Sequence, residues 1–396
     1  MNVLIFNCGS SSQTFKVYQA SDNTSFSVLA SGKAQPVATT TQALPRIDWT
    51  INAEVGNEEA NLSSHRRAAE QILRVLREHA VSVDAIGHRF VHGGEWFHQT
   101  TRITPAAAEN FVRCFPLAPI HNPNSYSVFE ACKEQLPQVP QFAVFDTAFH
   151  HDMPPEAVRY ALPLALAHEH GLHKFGFHGL SCSYVSERAA QLLGKSIHAV
   201  KLVLCHLGTG GSSVTAFKDG HSVDTSMGYS PLPGLIMSTR CGDIDAEIVL
   251  QLLRKGLTYE RVSDILNNES GLLGMSGFSS NLEEVMSEGD RGNGDCRIAA
   301  DAYVNRLKTY LGGYYWALNG ADAIVFTDSL GTRSWKLRER VCGDEGNLGI
   351  HLDNAKNRSA PPDAESFVES RDSATRIIVI PTDEELVILR EVLGVL

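Results

Sequence analysis

The chain has 396 residues, 43% of them hydrophobic and 20% charged, the composition of a globular protein and not of a disordered or fibrous one. A net charge of −11 with no block of Lys or Arg excludes the electrostatic footprint of a nucleic-acid binder. Any anionic substrate must therefore be held by local arginines and amides, and the length calls for two domains.

The eight cysteines are scattered, without a CxxC pair, and read as reduced thiols of a cytoplasmic protein. No apolar run reaches membrane-spanning length, and the first residues form a strand pattern where a signal peptide would need a charged then apolar stretch. Neither secretion nor a membrane location is expected.

In chain order, residues 3–6 and 15–18 read as strands around a polar turn, Asn7-Cys8-Gly9-Ser10-Ser11-Ser12. Small residues at a tight bend leave backbone N–H groups bare, as a phosphate requires. Asn7, Ser10 and Ser12 are the candidate contacts. Residues 20–61 are polar with short alternating pieces and predict further strands. Residues 64–79 carry Ala68, Ile72, Leu73 and Leu76 at helical spacing behind Ser63 or Ser64 as N-cap.

A short buried strand then delivers Arg89 and Val91 to the Gly93-Gly94 turn, on one face if the strand alternation holds. A guanidinium beside an apolar side chain suits a small carboxylate with a short tail. An arginine paired with a structural acid is the other reading. His121 stands between Pro119 and Pro123 on a stiffened backbone, where it suits a phosphate oxygen or caps a helix beginning near Ser125. Residues 142–145 form an apolar strand ending in Asp146, the usual place for a carboxylate that holds Mg²⁺ or water in phosphoryl transfer. A helix-capping acid is the alternative.

The pattern changes near residue 150, giving domains of 1–148 plus 384–396 and of 149–383. His168, His170, His173 and His178 lack the Cys or acid spacing of a zinc site. Residues 200–205 and 214–217 are strands around His206-Leu-Gly208-Thr209-Gly210-Gly-Ser-Ser213, which repeats the first hairpin about half a chain later. Two copies of one strand–turn–strand unit, each offering a phosphate loop to a shared cleft, are expected, with a pair of ordinary hairpin turns as the alternative. Arg240 is followed closely by Asp243 and Asp245. Helical patterns cover 246–254, 259–267, 282–287 and 297–318. Residues 323–331 read as a strand-to-turn junction, 344–376 as loop-rich, and 376–380 as a buried strand. Glu384 and Glu385 then open a last helix, where acids also suit the helix dipole.

Together these stretches resemble the acetate kinase family, within the acetate and sugar kinase, Hsp70 and actin superfamily. The resemblance runs end to end, through NCGSSS at 7, GHRFVHGGE at 87, LAPIHNP at 117, VFDTAFH at 144, FGFHG at 175, CHLGTGGSS at 205, DTSMGYSPLPGL at 224, STRCGDID at 238, SGLLGMSG at 270 and IPTDEEL at 380. It implies an α/β fold of duplicated actin-like, ribonuclease H-like domains about a central cleft. It implies an enzyme that moves a phosphoryl group in line between acetyl phosphate or acetate and a phosphate donor or acceptor. Residue by residue, Arg89 and Arg240 would clamp the carboxylate and the transferring phosphoryl, and His178 would donate to the transition state. Asn7, His121 and His206 would contact phosphate oxygens, and Asp146 and Glu384 would position Mg²⁺ and its waters. Val91, Phe177 and Pro231 would form the acetate methyl pocket. A homodimer with small-molecule substrates, and no nucleic-acid or membrane partner, is expected.

The departures from the family pattern cluster. A lysine usual two residues after the serine run is Thr14 here, with Lys16 next on the same strand face. HLGNGSS is HLGTGGSS, so Thr209 replaces an amide side chain. In the adenosine-binding segments an acid-plus-Arg pattern becomes Asn281-Leu282-Glu283, and the GGIGEN-like turn reads Asp328-Ser329-Leu330-Gly331-Thr332-Arg333. Ser329 adds a side chain where an adenine plane would lie. These changes resemble the pyrophosphate-using branch and favour pyrophosphate over ATP. The alternatives are an ATP-dependent kinase of acetate, propionate or butyrate, and a non-catalytic actin-like binding protein.

Overall fold

The computed structural model of the protein describes residues 1–9, 11–21, 25–38, 44–343 and 346–396. The chain divides into two units, Met1–Phe149 with Asp383–Leu396, and His150–Thr382.

The first unit holds strands β1 (Asn2–Cys8), β2 (Gln13–Ala20), β3 (Phe26–Gln35), β4 (Arg46–Ile51), β5 (Glu54–Glu59), β6 (Ala85–Phe90), β7 (Thr101–Arg102) and β8 (Gln141–Phe145). They form one sheet in the order β5-β4-β3-β2-β1-β6-β8-β7. β1 runs antiparallel to β2 and β2 to β3, whereas β1, β6 and β8 are parallel. The second unit holds β9 (Lys201–Leu207), β10 (Ser212–Lys218), β11 (His221–Thr225), β12 (Ala323–Thr327), β13 (Ser366–Phe367) and β14 (Arg376–Val379), in the order β11-β10-β9-β12-β14-β13. Here β9, β10 and β11 are antiparallel neighbours, and β9, β12 and β14 are parallel. Three antiparallel strands followed by two parallel ones recur in both units. This is a duplicated α/β fold of the actin-like type.

The central strands are apolar because a strand covered on both faces has no solvated side. Val3, Leu4, Ile5 and Phe6 in β1, and Leu202 to Cys205 in β9, are all buried. In the first unit the His65–Glu78 helix, capped by Ser64 Oγ accepting from the Arg67 N–H, sets Ala68, Ile72 and Leu76 against Leu4, Phe6 and Val17. In the second, the 24-residue Gly294–Ala317 helix packs Tyr303, Leu307 and Leu311 against Val203, Cys205 and Phe326. Each such side chain contributes about 1.5–3 kcal/mol, so the sheet edges that carry the turns are rigidly backed. Among the described residues no helix is long and apolar enough to cross a membrane. All eight cysteines are free thiols.

Several expectations need correction. β6 ends at Phe90, so Val91 lies past the strand and is not placed by its alternation. The helix after His121 begins at Asn122, not near Ser125, with Pro123 in its first turn where a missing N–H costs nothing. The 259–267 pattern is an α-helix only over Tyr259–Asp264 and widens into a π-helical turn over Ile265–Glu269. Residues 328–333 form a short helix, Asp328–Arg333, in place of a turn. The span 344–376 is broken by the Asn354–Ser359 helix and by β13.

The buried Arg338 explains the short helix. Its guanidinium donates to Gly331 O at 2.7 Å and Thr332 O at 2.9 Å, satisfying carbonyls at the helix end. It also donates to Asn357 Oδ1 at 2.7 Å. Burial among neutral acceptors pulls its pKa down to about 10.

Candidate functional site

Both hairpin turns close on the same bond. Gly9 N–H donates to Ser12 O at 2.9 Å, and Gly208 N–H donates to Gly211 O at 3.1 Å. Ser12 is half-buried at the end of the first turn; Ser10 lies outside the described residues. A ring nitrogen of His65 lies 2.8 Å from Gly9 O and fixes the first turn from below.

In the first unit, Asn7 leaves the end of β1, Arg89 leaves β6, and Asp146 follows β8. Three parallel neighbours thus deliver their last residues to one edge. Arg89 Nη2 donates to Asp146 Oδ2 at 2.6 Å and Nε to Oδ1 at 3.1 Å, a two-pronged pair. Arg89 Nη1 donates to Asn7 Oδ1 at 3.0 Å and lies 3.6 Å from Glu384 Oε2. The Asn7 amide donates in turn to Glu384 Oε2 at 3.1 Å. Asp146 is only 1% exposed. Burial works against the Arg89 charge, but Asp146 and Glu384 outweigh it and hold its pKa above the ordinary value. The acid-pairing alternative for Arg89 is thus the contact the structure shows, and Asp146 pairs with it.

The helix Glu384–Val395 is anchored by the substituted strand β2. Thr14 Oγ1 donates to Glu385 Oε1 at 2.8 Å, and Lys16 Nζ donates to Asp383 Oδ1 at 2.9 Å. Asp383 caps this helix, accepting from the Leu386 N–H.

In the second unit the loop after β9 is crowded. A Cβ on Gly208 would collide with Asp328 Oδ2, and a Cβ on Gly211 would lie 3.2 Å from Arg240 Nη1 and 3.4 Å from His178 Nε2. Gly208 therefore admits no Cβ unless its neighbours shift, and a Cβ on Gly211 would press on the ends of two side chains, whereas Gly210 faces open space. The His178 and His206 rings stack at 4.0 Å. His178 adopts φ 61°, a region few non-glycine residues enter. Its Nδ1 is hydrogen-bonded to Ser213 Oγ at 2.9 Å, and His206 Nδ1 to Ser181 Oγ at 2.9 Å. Each ring is thereby held with Nε2 turned away from its serine. His206 Nε2 lies 3.3 Å from Asp328 Oδ2.

Arg240 Nη1 donates to Pro231 O at 3.3 Å. Among the described residues it has no acid partner, and burial alone depresses its pKa. A desolvated cation with no acid to balance it is an electrostatic seat for an anion.

Other expected site residues are placed differently. His121 stands at the N-cap position of the Asn122–Gln135 helix without a side-chain cap bond. Val91 is buried, and its N–H donates to Asn122 Oδ1 at 3.2 Å. Phe177 is buried with its carbonyl 2.9 Å from a His150 ring nitrogen. Asn281 is spent as a helix cap, accepting from the Glu283 and Glu284 N–H groups. Leu282 and Leu330 belong to the hydrophobic core and not to a ligand surface. Ser329 Oγ accepts from the Thr209 N–H at 3.2 Å, so its hydroxyl acts on the loop after β9.

A family model described as the acetokinase family matches residues 2–390. The chain belongs to the acetokinase family. It is 41% identical to the acetate kinase of Dictyoglomus turgidum, over 100% of this chain and 98% of that protein. The solved acetate kinase of Porphyromonas gingivalis superposes with a TM-score of 0.88 at 36% identity, covering 100% of this chain and 99% of that one. A propionate kinase from Francisella tularensis superposes with a TM-score of 0.89 at 35% identity, covering 98% of each. By family this chain is a carboxylate kinase, a phosphotransferase.

Within the acetokinase frame, sequence reasoning missed Gly211, Ser213, Ser181 and Asn122. Gly211 and Ser213 sit in the glycine-serine run and were legible only as turn residues. Ser181 and Asn122 carry no local signal, because their partners are 25 and 30 positions away.

Proposed function

We propose that this acetokinase transfers a phosphoryl group from acetyl phosphate to inorganic phosphate, giving acetate and pyrophosphate, and catalyses the reverse reaction. The observation that carries the reading is Arg240, a half-buried guanidinium without an acid partner among the described residues, beside Gly211 and His178. A loose phosphoryl transition state needs charge neutralisation and positioning more than covalent help. Arg240 and His178 Nε2 supply donors aimed at the transferring group, and the loop at Gly210, which faces open space, leaves room for it. In the first unit Arg89 clamps the carboxylate and Asn7 contacts a phosphate oxygen; in the second His206 contacts a phosphate oxygen.

Asp146 and Glu384 fit Mg²⁺. No cluster of three His, Cys, Asp or Glu suited to a metal occurs among the described residues, but this ion commonly takes only one or two carboxylates plus substrate phosphates. Both carboxylates turn an oxygen to the Arg89 guanidinium, so they already share one cation. When bound there, Mg²⁺ would neutralise phosphate charge.

The donor preference for pyrophosphate is supported by the Asp328 and Ser329 side chains, which stand on the phosphate loop and cover one of its amides. ATP is the second reading, favoured by relatives named simply acetate kinase. Acetate is proposed over propionate because a single Val91 is expected beside the methyl group, although one methylene distinguishes them by only about 1–3 kcal/mol. A cytoplasmic homodimer completes the proposal: Ile244, Ile248, Leu250 and Leu253 are all exposed on or beside the Ala246–Arg254 helix, apolar surface for a second copy to cover.

A hydroxamate assay for acetyl phosphate, run from acetate with ATP and with pyrophosphate in parallel, tests this. Product with pyrophosphate is expected. Product with ATP alone reverses the donor assignment, and no product with either removes the acetate chemistry.

A further inference from the structure

Asp328 opens the Asp328–Arg333 helix with φ 62°, a left-handed backbone that costs an L residue about 1–2 kcal/mol. The conformation aims its carboxylate at the phosphate loop. Oδ2 overlies Gly208, where a Cβ would strike it, and lies 3.3 Å from His206 Nε2. On the other flank of the loop Gly211 faces Arg240 and His178. The loop is therefore bordered by a carboxylate on one side and a guanidinium on the other.

A carboxylate beside an anion seat is repulsive unless a proton lies between the two. An ionised carboxylate only accepts hydrogen bonds, and an O–H donated to it forms a short, strong one. Inorganic phosphate at neutral pH still carries an acidic P–O–H, as does the terminal group of pyrophosphate in part. Sulfate has the same shape and charge but no proton, and an esterified inner phosphate of a nucleotide has none either.

We propose that Asp328 reads this proton: its carboxylate accepts the P–O–H of a terminal phosphate group seated on the 208–211 loop, and so selects such a group over proton-free tetrahedral anions and phosphodiesters. His206 holds the carboxylate in place until the ligand arrives, and Arg240 meets the remaining negative charge. The inference rests on the phosphate-loop reading of the preceding section and narrows its ligand class to tetrahedral groups that carry a P–O–H.

Isothermal titration calorimetry of the full chain, in Mg²⁺-free buffer, with phosphate, pyrophosphate and sulfate tests it. The wild type should bind phosphate and pyrophosphate at least about 100-fold more tightly than sulfate, because a site built to accept a ligand hydroxyl rejects the analogue lacking it. Asp328→Asn keeps the shape and removes the charge; Asp328→Gly keeps the backbone conformation and removes the side chain. Both should narrow the ratio to within about tenfold, chiefly by gaining sulfate affinity. A purely structural role would weaken all three ligands together and leave the ratio unchanged, which overturns the proposal. Equal binding of phosphate and sulfate by the wild type overturns it as well. If the wild type binds neither phosphate nor pyrophosphate, the phosphate-loop reading itself falls and takes this inference with it.

Discussion

Arg89 and Arg240 are one residue type in two opposite electrostatic settings. Arg89 is held by Asp146, Glu384 and Asn7, and its charge is over-stabilised. Arg240 touches a carbonyl and a thioether, and its charge is desolvated without an acid in return. The difference teaches which arginine is poised for an incoming anion. Arg89 is already balanced, so a ligand must share or displace its acids; Arg240 is unbalanced, and an arriving anion would relieve it.

The largest effect should come from removing the unbalanced charge. Arg240→Ala is expected to lower kcat by about 10²–10³, or some 2.7–4 kcal/mol of barrier, with circular dichroism unchanged. Near wild-type turnover would contradict its role as a clamp. The balanced partner should respond in stability. Asp146→Asn leaves Arg89 buried without its main counter-charge and should cost about 3–5 kcal/mol, read as a lower urea midpoint. Arg240→Ala in the same titration should lose far less.

Acid should weaken both units through a different kind of group. His88 lies in the first unit beside Gln141 and His150 in the second beside Ser222. Burial lowers each imidazole to about 4 from the ordinary 6.5. Between these values the unfolded chain binds a proton that the folded chain refuses. Stability is therefore complete above pH 6.5 and lost as pH falls toward 4, by about 2 kcal/mol per histidine at pH 5. His88→Gln and His150→Gln should each flatten the pH dependence of the urea midpoint over that range; an unchanged slope would place the acid sensitivity elsewhere.

The smallest effect sharpens the loop assignment. Ser329→Gly frees the Thr209 N–H from its hydroxyl partner, a change worth about 1 kcal/mol. It should leave pyrophosphate kinetics within about twofold and lower the KM for ATP by up to about tenfold. Loss of both activities would mean that this segment does not border the donor site.

Much of the fold was legible because its signals are local. Val3 to Phe6 and Leu202 to Cys205 announce buried strands by unbroken apolar runs, and Ser64 announces the helix it caps. The family motifs named Arg89, Asp146, His178 and Arg240 in advance. They did not say that Leu282 and Leu330 are core residues, because an apolar side chain in a motif looks the same whether it meets a ligand or a neighbouring helix. Nor did Asp328 stand out. Its segment reads as a turn, and the helix there depends on Arg338, whose hydrogen bonds reach back to Gly331 and Thr332.

The sequence by itself determined which residues form strands, where the two hairpin turns lie, and which polar side chains are candidates for chemistry, since periodicity, small-residue turns and motif order are properties of neighbours along the chain. Only the tertiary structure decided which charge faces which. Arg89 meets Glu384 across most of the chain's length, Asp328 meets His206, and Arg240 meets no acid among the described residues. Charge balance is a through-space quantity, fixed by distance and burial, and neither is written in the order of the residues.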